Sequence, residues 1–201
     1  KVNVKGEDLA GVVHGIDFLK RVKLGHDTSI GENAVIIGGG NTAIDSARTA
    51  VRCGAKNVTV IYRRDANSMP AYKEEIEEAV SEGVVIKTLL APVQFIDDGT
   101  GHVKSIECKI MKLAEFDNSG RRRSADAELE HVFIDADTVI PAVSQHADLP
   151  FIRVEDIGRT PWGTFTVDRD TMMTTIDGVF AGGDIVNGPD TVIQAIADGK
   201  K

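Results

Sequence analysis

Apolar residues along this chain fall into short blocks separated by polar and glycine-rich breaks, and the period of the blocks changes from place to place. Ala34-Val35-Ile36-Ile37 is a continuous apolar run, the pattern of a strand buried on both faces of a parallel sheet. Ala43, Ile44, Ala47, Ala50 and Val51 then recur at helical spacing as one face of a helix. Gly54 stands where a left-handed C-terminal cap is expected, and Val58-Thr59-Val60-Ile61 reads as the next strand. A second such unit follows. Ser68 is the expected N-cap and Pro70 a first-turn residue of a helix whose inner side is Ile76, Ala79 and Val80. Gly83 ends it, and Val84-Val85-Ile86 begins a third parallel strand. Upstream, Ile16, Phe18, Leu19 and Val22 mark a short helix with Lys20, Arg21 and Lys23 near its C-terminal end, where cations suit the helix dipole.

Downstream the helical period gives way to strand character at residues 93–96, 103–113 and 131–134. Turn clusters at Asp97-Asp98-Gly99-Thr100-Gly101 and Asp117-Asn118-Ser119-Gly120 separate them, which predicts an antiparallel meander inserted in the sheet topology. Residues 137–142 read as the last strand of this domain, and 148–164 as an irregular stretch containing Trp162. A short strand is expected at 164–167, and a buried strand at 178–184 that ends in Gly182-Gly183-Asp184. A helix begins at Thr191. The pattern is that of an α/β protein: a Rossmann-like parallel sheet with an antiparallel meander.

The break between the first strand and helix carries chemistry. Gly38-Gly39-Gly40-Asn41-Thr42-Ala43 fits G-x-G-x-x-A in the required place, after a strand and before a helix. Gly38 permits the tight turn, Gly40 lets backbone approach a pyrophosphate, and Ala43 lets the helix lie close on the sheet. The N–H groups and positive dipole end of the helix starting near Asn41 make an anion site. An NAD-binding domain places an acidic residue about 20 positions further on, to bind the ribose 2′-OH. Arg63 and Arg64 stand there instead, and two planar guanidiniums suit a 2′-phosphate. One charge-assisted hydrogen bond contributes about 1.5–3 kcal/mol, and about 1.4 kcal/mol is tenfold in affinity. Even a discounted pair favours NADPH over NADH by tens-fold.

Composition narrows the partners. A formal net charge of −8 over 201 residues argues against nucleic acid and anionic membrane. No apolar run approaches the roughly 18 residues needed to span a bilayer, and no signal-peptide pattern is present, so a cytoplasmic location is expected. Cys53 and Cys108 lack C-x-x-C or metal-type spacing, which excludes a thiol–disulfide centre or iron–sulfur ligation carried by this segment, and no metal ligand is assigned. Glu74, Glu75, Glu77 and Glu78 read as a solvated helix face, Arg121-Arg122-Arg123 as a solubilising hairpin tip, and His14 and His26 as solvated or capping residues. Asp184, at a strand's carboxyl end before a helix, has two open readings: a ligand of a ribityl or ribose hydroxyl, or an Asx-turn cap. The initial Lys1 and the final Ala-Asp-Gly-Lys-Lys, a helix cut mid-course, point to a fragment of a longer protein.

The stretch GGGNTAIDSARTAVRCGAKNVTVIYRR, followed by Met69-Pro70-Ala71 and Glu74-Glu75, resembles the NADPH-binding domain of the glutamate synthase small (β) subunit. The same family includes the amino-terminal half of dihydropyrimidine dehydrogenase and related NADPH-dependent flavin oxidoreductases. Glu7-Asp8-Leu9 with Gly11-Val12, and the run from Phe180 to Asp184, extend the resemblance over nearly the whole chain. It implies a glutathione-reductase-type fold with two dinucleotide sites. Residues 32–147 would be the NADPH-binding domain, 1–31 a linker and FAD-domain remnant, and 148–201 a second FAD-domain remnant. Gly38, Gly39, Gly40, Asn41 and Thr42 would bind pyrophosphate and Arg63 and Arg64 the 2′-phosphate. Gly183 and Asp184 would meet the ribityl chain of FAD, with Thr191, Val192 and Ile193 opening a helix near the flavin.

Two departures from the family pattern stand out. Ala142-Val143-Ser144-Gln145 replaces the glycine-containing turn that usually ends the last nucleotide-domain strand, and the upstream FAD fingerprint and iron–sulfur cysteines are not in this chain. The implied function is an electron-input module: NADPH gives hydride to FAD, and electrons pass to iron–sulfur clusters outside this chain and to a larger synthase or reductase subunit. The cofactors carry that chemistry, so no catalytic side chain is assigned. One alternative is an NADPH-binding or assembly module without chemistry. Another is the same module serving a sulfide-, ferredoxin- or pyrimidine-linked reductase. A self-sufficient carbonyl dehydrogenase would need a Tyr-x-x-x-Lys dyad, which neither Tyr62 nor Tyr72 supplies.

Overall fold

In the computed structural model, which describes residues 2–26, 29–116, 122–143 and 156–201, the apolar runs become the middle layer of a three-layer unit. Strands β1 (Asn33–Ile37), β2 (Asn57–Tyr62), β3 (Val85–Thr88) and β7 (Thr138–Pro141) form a parallel sheet in the order β3-β2-β1-β7. Because successive side chains point to opposite faces, β1, β2 and β7 each feed two cores. Ala34, Ile36, Val58, Val60 and Ile140 face the helices α1 (Gly15–Lys23), α2 (Asn41–Arg52) and α3 (Lys73–Ser81). Val35, Ile37, Ile61 and Val139 face the antiparallel meander of β4 (Leu90–Asp97), β5 (Val103–Phe116) and β6 (Arg122–Asp135). Phe95, Ile106, Cys108 and Ile134 fill that second core. Burial pushes the Cys108 thiol up to about 12, which makes it an inert apolar side chain.

The helix ends follow from local chemistry. After α2, Gly54 at φ +100° donates to Val51 O and Ala55 N donates to Ala50 O, the two bonds of a Schellman cap. After α3, Gly83 and Val84 repeat the pattern on Val80 and Ala79. Arg48 on α2 bonds Glu78 and Glu82 of the α3 end at 2.8 and 2.7 Å, and Arg52 also reaches Glu82. The outer edge of β7 is covered by the leading segment, where Val12 pairs in parallel with Val139. Among the described residues no helix is long and apolar enough to cross a membrane.

The expected N-cap of α3 is corrected. Ser68 closes a short 3-10 turn (Ala66–Ser68) capped by the Asp65 carboxylate, and Tyr72 is the N-cap of α3. Burial explains the difference: Met69 and Ala71 are drawn into the helix-side core, so the chain stays extended until Lys73. The turn expected at 117–120, Arg121 and the Ser144-Gln145 part of the family departure lie outside the described residues.

The chain divides into two compact units, Lys1–Val143 and Ser144–Lys201. In the second, Ile157, Phe165, Met172 and Val186 form a small core beside α4 (Asp184–Asn187) and α5 (Val192–Asp198). Neither strand expected here forms. Residues 164–167 and 178–184 make isolated bridges, Arg159 with Phe165, Val167 with Thr174 and Met173 with Phe180. No described neighbour continues a ladder, and Phe180, expected buried, is 62% exposed.

Candidate functional site

The parallel register sets Ile37 beside Ile61, so the glycine turn after β1 and the Arg pair after β2 share the carboxyl edge of the sheet. That edge is where dinucleotides bind in open α/β sheets. Gly38 (φ +148°) has no room for a side chain: an added Cβ would lie 2.5 Å from the Ala142 carbonyl oxygen. Its N–H is already donated to Ile61 O at 3.1 Å, so its contribution is the turn itself. Gly39 backs onto the Tyr62 ring, which a Cβ would meet at 2.6 Å. Gly40, the N-cap of α2, is open: the nearest atom to an added Cβ is Pro70 Cγ at 3.9 Å.

Gly40 supplies no side-chain cap, and among the described residues nothing accepts from the N–H groups of Asn41 and Thr42. These donors, with the dipole of a helix 12 residues long, face outward as an anion cradle. Ala43 is fully buried and lets α2 lie against the turn. Arg63 is exposed and Arg64 half-buried, with the Arg64 carbonyl accepting from Leu89 N at 3.1 Å.

Residues 65–72 return from the Arg pair to the glycine turn. Tyr62 Oη donates to Ser68 O at 2.8 Å, Ala71 N to Gly39 O at 3.0 Å, and Tyr72 N to Asn41 Oδ1 at 3.1 Å. Asn41 therefore uses its side chain within the protein. Tyr62 and Tyr72 carried no periodic signal as site residues. The Met69-Pro70-Ala71 motif was the available pointer to this segment.

In the second unit Gly183 precedes α4 at φ +68°, ψ −146°, a conformation open to glycine. Asp184 is exposed, and its Oδ1 accepts a long bond from Asp190 N at 3.3 Å. That bond reaches six residues along the chain rather than the two of an Asx turn, so it is not a local cap, and no described residue donates to Oδ2. Thr191 donates its N–H to Asp190 Oδ1 at 2.7 Å and accepts from Gln194 N at 3.2 Å, as the N-cap of α5. Val192 and Ile193 are 75% and 80% exposed.

The turn is held by a residue the sequence did not single out. Asp198, 4% exposed, accepts from Gly183 N at 2.8 Å, Asn187 Nδ2 at 2.7 Å and Gln194 Nε2 at 2.9 Å. These donors, the Gly183 N–H foremost, hold its carboxyl below the usual carboxylate range. An aspartate before a glycine at a helix end gives no sequence signal for that role. An open cavity of about 420 Å³ adjoins it, lined by Met172, Phe180, Ala195 and Lys201 among others.

A glycine turn into an open helix terminus, beside a basic strand end, defines the first unit as a dinucleotide-binding fold of the α/β class. The chain belongs to the pyridine nucleotide-disulphide oxidoreductase family, whose pattern it matches over residues 1–199. It is 41% identical to the NADP(+)-dependent formate dehydrogenase subunit beta of Moorella thermoacetica, over 100% of this chain and 29% of that protein. It is 36% identical to the glutamate synthase [NADPH] small chain of Azospirillum brasilense, over 99% of this chain and 44% of that protein. This homology bears out the resemblance read from the glycine and arginine motifs. The chain thus spans less than half the length of either relative. The fold is shared with Mycobacterium tuberculosis FprA in complex with NADPH, at a TM-score of 0.71 and 19% identity, over 100% of this chain and 58% of that one.

Proposed function

We propose that the first unit binds NADPH and that the second contributes to an FAD site, as the electron-input module of an NADPH-dependent flavin oxidoreductase. The observation that carries this reading is the open N-terminus of α2 beside Arg63 and Arg64 on one sheet edge. Gly38 and Gly39 shape the turn. Gly40, Asn41 and Thr42 offer backbone N–H groups to the pyrophosphate, and Arg63 and Arg64 bind the 2′-phosphate.

Residues 32–147 act as the NADPH domain and 148–201 as part of the FAD domain, in which Asp184 accepts from ribityl hydroxyls. Gly183, Thr191 and Val192 line the same site. The site fits in one respect the structure displays: Asp198 locks the Gly183 turn while leaving the Asp184 carboxylate exposed. Bound flavin supplies hydride acceptance from nicotinamide and one-electron delivery to iron–sulfur clusters outside this chain. The names of the relatives support assembly with a larger synthase or dehydrogenase subunit.

Calorimetric titration with NADPH and NADH tests the first half. Preference for NADPH by tens-fold is expected, with collapse in the Arg63→Ala, Arg64→Ala double variant. Equal affinity for the two nucleotides overturns the assignment. Flavin absorbance of the purified protein tests the second half, and a colourless protein that takes up no added FAD favours a nucleotide-binding module without redox chemistry.

A further inference from the structure

We infer that Asn41 is a positioning residue for nucleotide selectivity rather than a phosphate ligand through its side chain: it latches the Met69–Tyr72 strap that holds the Arg pair in register with the pyrophosphate cradle. The inference rests on the NADPH reading above and adds a residue and a mechanism to it.

The geometry is a closed loop of contacts. Arg63 and Arg64 leave the end of β2, and the next eight residues return to the turn after β1. Along the way Asp65 Oδ1 accepts from Ser68 N at 2.8 Å, and Tyr62 Oη ties Ser68 O down to the strand the Arg pair leaves. Met69 and Ala71 bury their side chains in the helix-side core at 8% and 5% exposure. The strap then bonds the turn twice, through Gly39 O to Ala71 N and through Asn41 Oδ1 to Tyr72 N. Removing the Asn41 amide leaves the Tyr72 N–H to water and frees the strap's far end, while the backbone N–H groups of Asn41 and Thr42 stay in place. Such a change loosens the Arg pair more than the cradle. It should therefore weaken 2′-phosphate recognition and leave pyrophosphate binding largely intact.

A side-chain phosphate ligand would behave oppositely, because NADPH and NADH carry the same pyrophosphate. The test is the ratio of NADH to NADPH dissociation constants, measured by calorimetry on the protein and on four variants. Asn41→Ala removes the acceptor. Tyr72→Pro removes the donor at a residue whose φ of −62° already suits proline. Tyr72→Ala keeps the N–H and serves as control for loss of the ring, and the fourth variant combines Asn41→Ala with Tyr72→Pro. The expected result is a ratio lowered about fivefold in Asn41→Ala and in Tyr72→Pro, the scale of one hydrogen bond. The double variant should fall no further, and Tyr72→Ala should stay near the parent protein.

If Asn41→Ala weakens both nucleotides equally, the latch is wrong and the side chain is a ligand. Additive losses in the double variant also overturn it. If the parent protein shows no preference for NADPH, the underlying reading fails and the inference with it. A preference that survives in all four variants removes the inference alone.

Discussion

The two glycine turns of this protein do comparable geometric work but are held in different ways. In the first unit, Gly38 and Gly39 are held by several neighbours at once: the Ile61 carbonyl, the Ala142 carbonyl, the Tyr62 ring and the strap, over two apolar cores, while Gly40 stays open. In the second, Gly182-Gly183 rests on one buried carboxylate, Asp198, over a core of four buried side chains. That unit also exposes Phe180, Val192, Ile193 and Ile196. A turn embedded in a sheet draws its precision from many weak constraints. A turn in a small unit concentrates it in one polar residue, which low dielectric makes both strong and costly to lose.

Substituting the first turn should show the largest effect. Gly38→Ala places a Cβ 2.5 Å from the Ala142 carbonyl oxygen, at a φ of +148°. Neither backbone can yield without breaking the Ala142 N to Ile37 O or Gly38 N to Ile61 O bonds. Overpacking alone costs about 1–3 kcal/mol, and urea unfolding of the variant should show at least that loss, with NADPH affinity lost too. Gly39→Ala should do less, because the Tyr62 ring it meets is a side chain, although shifting that ring strains the strap.

The second turn should break through Asp198. Asp198→Ala leaves the Gly183 N–H, Asn187 amide and Gln194 amide without their acceptor. Hydrogen exchange should then speed at residues 183–199 and stay unchanged across the parallel sheet. Acid should mimic the variant. The folded carboxyl titrates below its ordinary value of 3.8, so its stabilising contribution is fully present above that value and lost as pH falls through the lower folded one. Protection of residues 183–199 should drop in that window in the parent protein, and Asp198→Asn should flatten the dependence. A parent protein whose second unit keeps its protection through that window would contradict the role given to Asp198.

The same contrast marks what could be read from sequence. The runs at 34–37 and 58–61 and the helical face from Ala43 to Val51 became β1, β2 and α2, because residues buried on both sheet faces leave a periodic signature. Ser68 misled because it closes the 3-10 turn capped by Asp65, to which it donates its backbone N–H, and the pull of Met69 and Ala71 into the core fixed where α3 starts. Residues 178–184 have a strand's composition, yet composition does not supply a partner, and pairing is what makes a strand. Asp198 and the Asn41–Tyr72 bond were invisible for a different reason. Asp198 reaches Gly183 across 15 residues and Asn41 reaches Tyr72 across 31, by polar contacts that no periodicity encodes.

The smallest expected effect comes from the first unit's own carboxylate, and it sharpens the contrast. Glu82 accepts from Arg48 Nε at 3.0 Å and Nη2 at 2.7 Å and from Arg52 at 2.7 Å, as many bonds as Asp198 makes. The Arg48 hydrogen bonds, foremost, hold its carboxyl below the usual range. Of its partners, however, Arg52 is exposed and Arg48 is only half-buried, so water takes over when a bond is lost, and screening leaves such pairs little net worth. No backbone N–H depends on it, and α2 and α3 remain joined through Ala47, Ala50 and Ala79 in the core. Glu82→Gln should therefore lower the unfolding midpoint only slightly, less as salt is added, with nucleotide affinity unchanged. If it instead destabilised the first unit as far as Asp198→Ala does the second, bond count rather than burial would decide what a carboxylate is worth here, and the contrast between the two turns would fail.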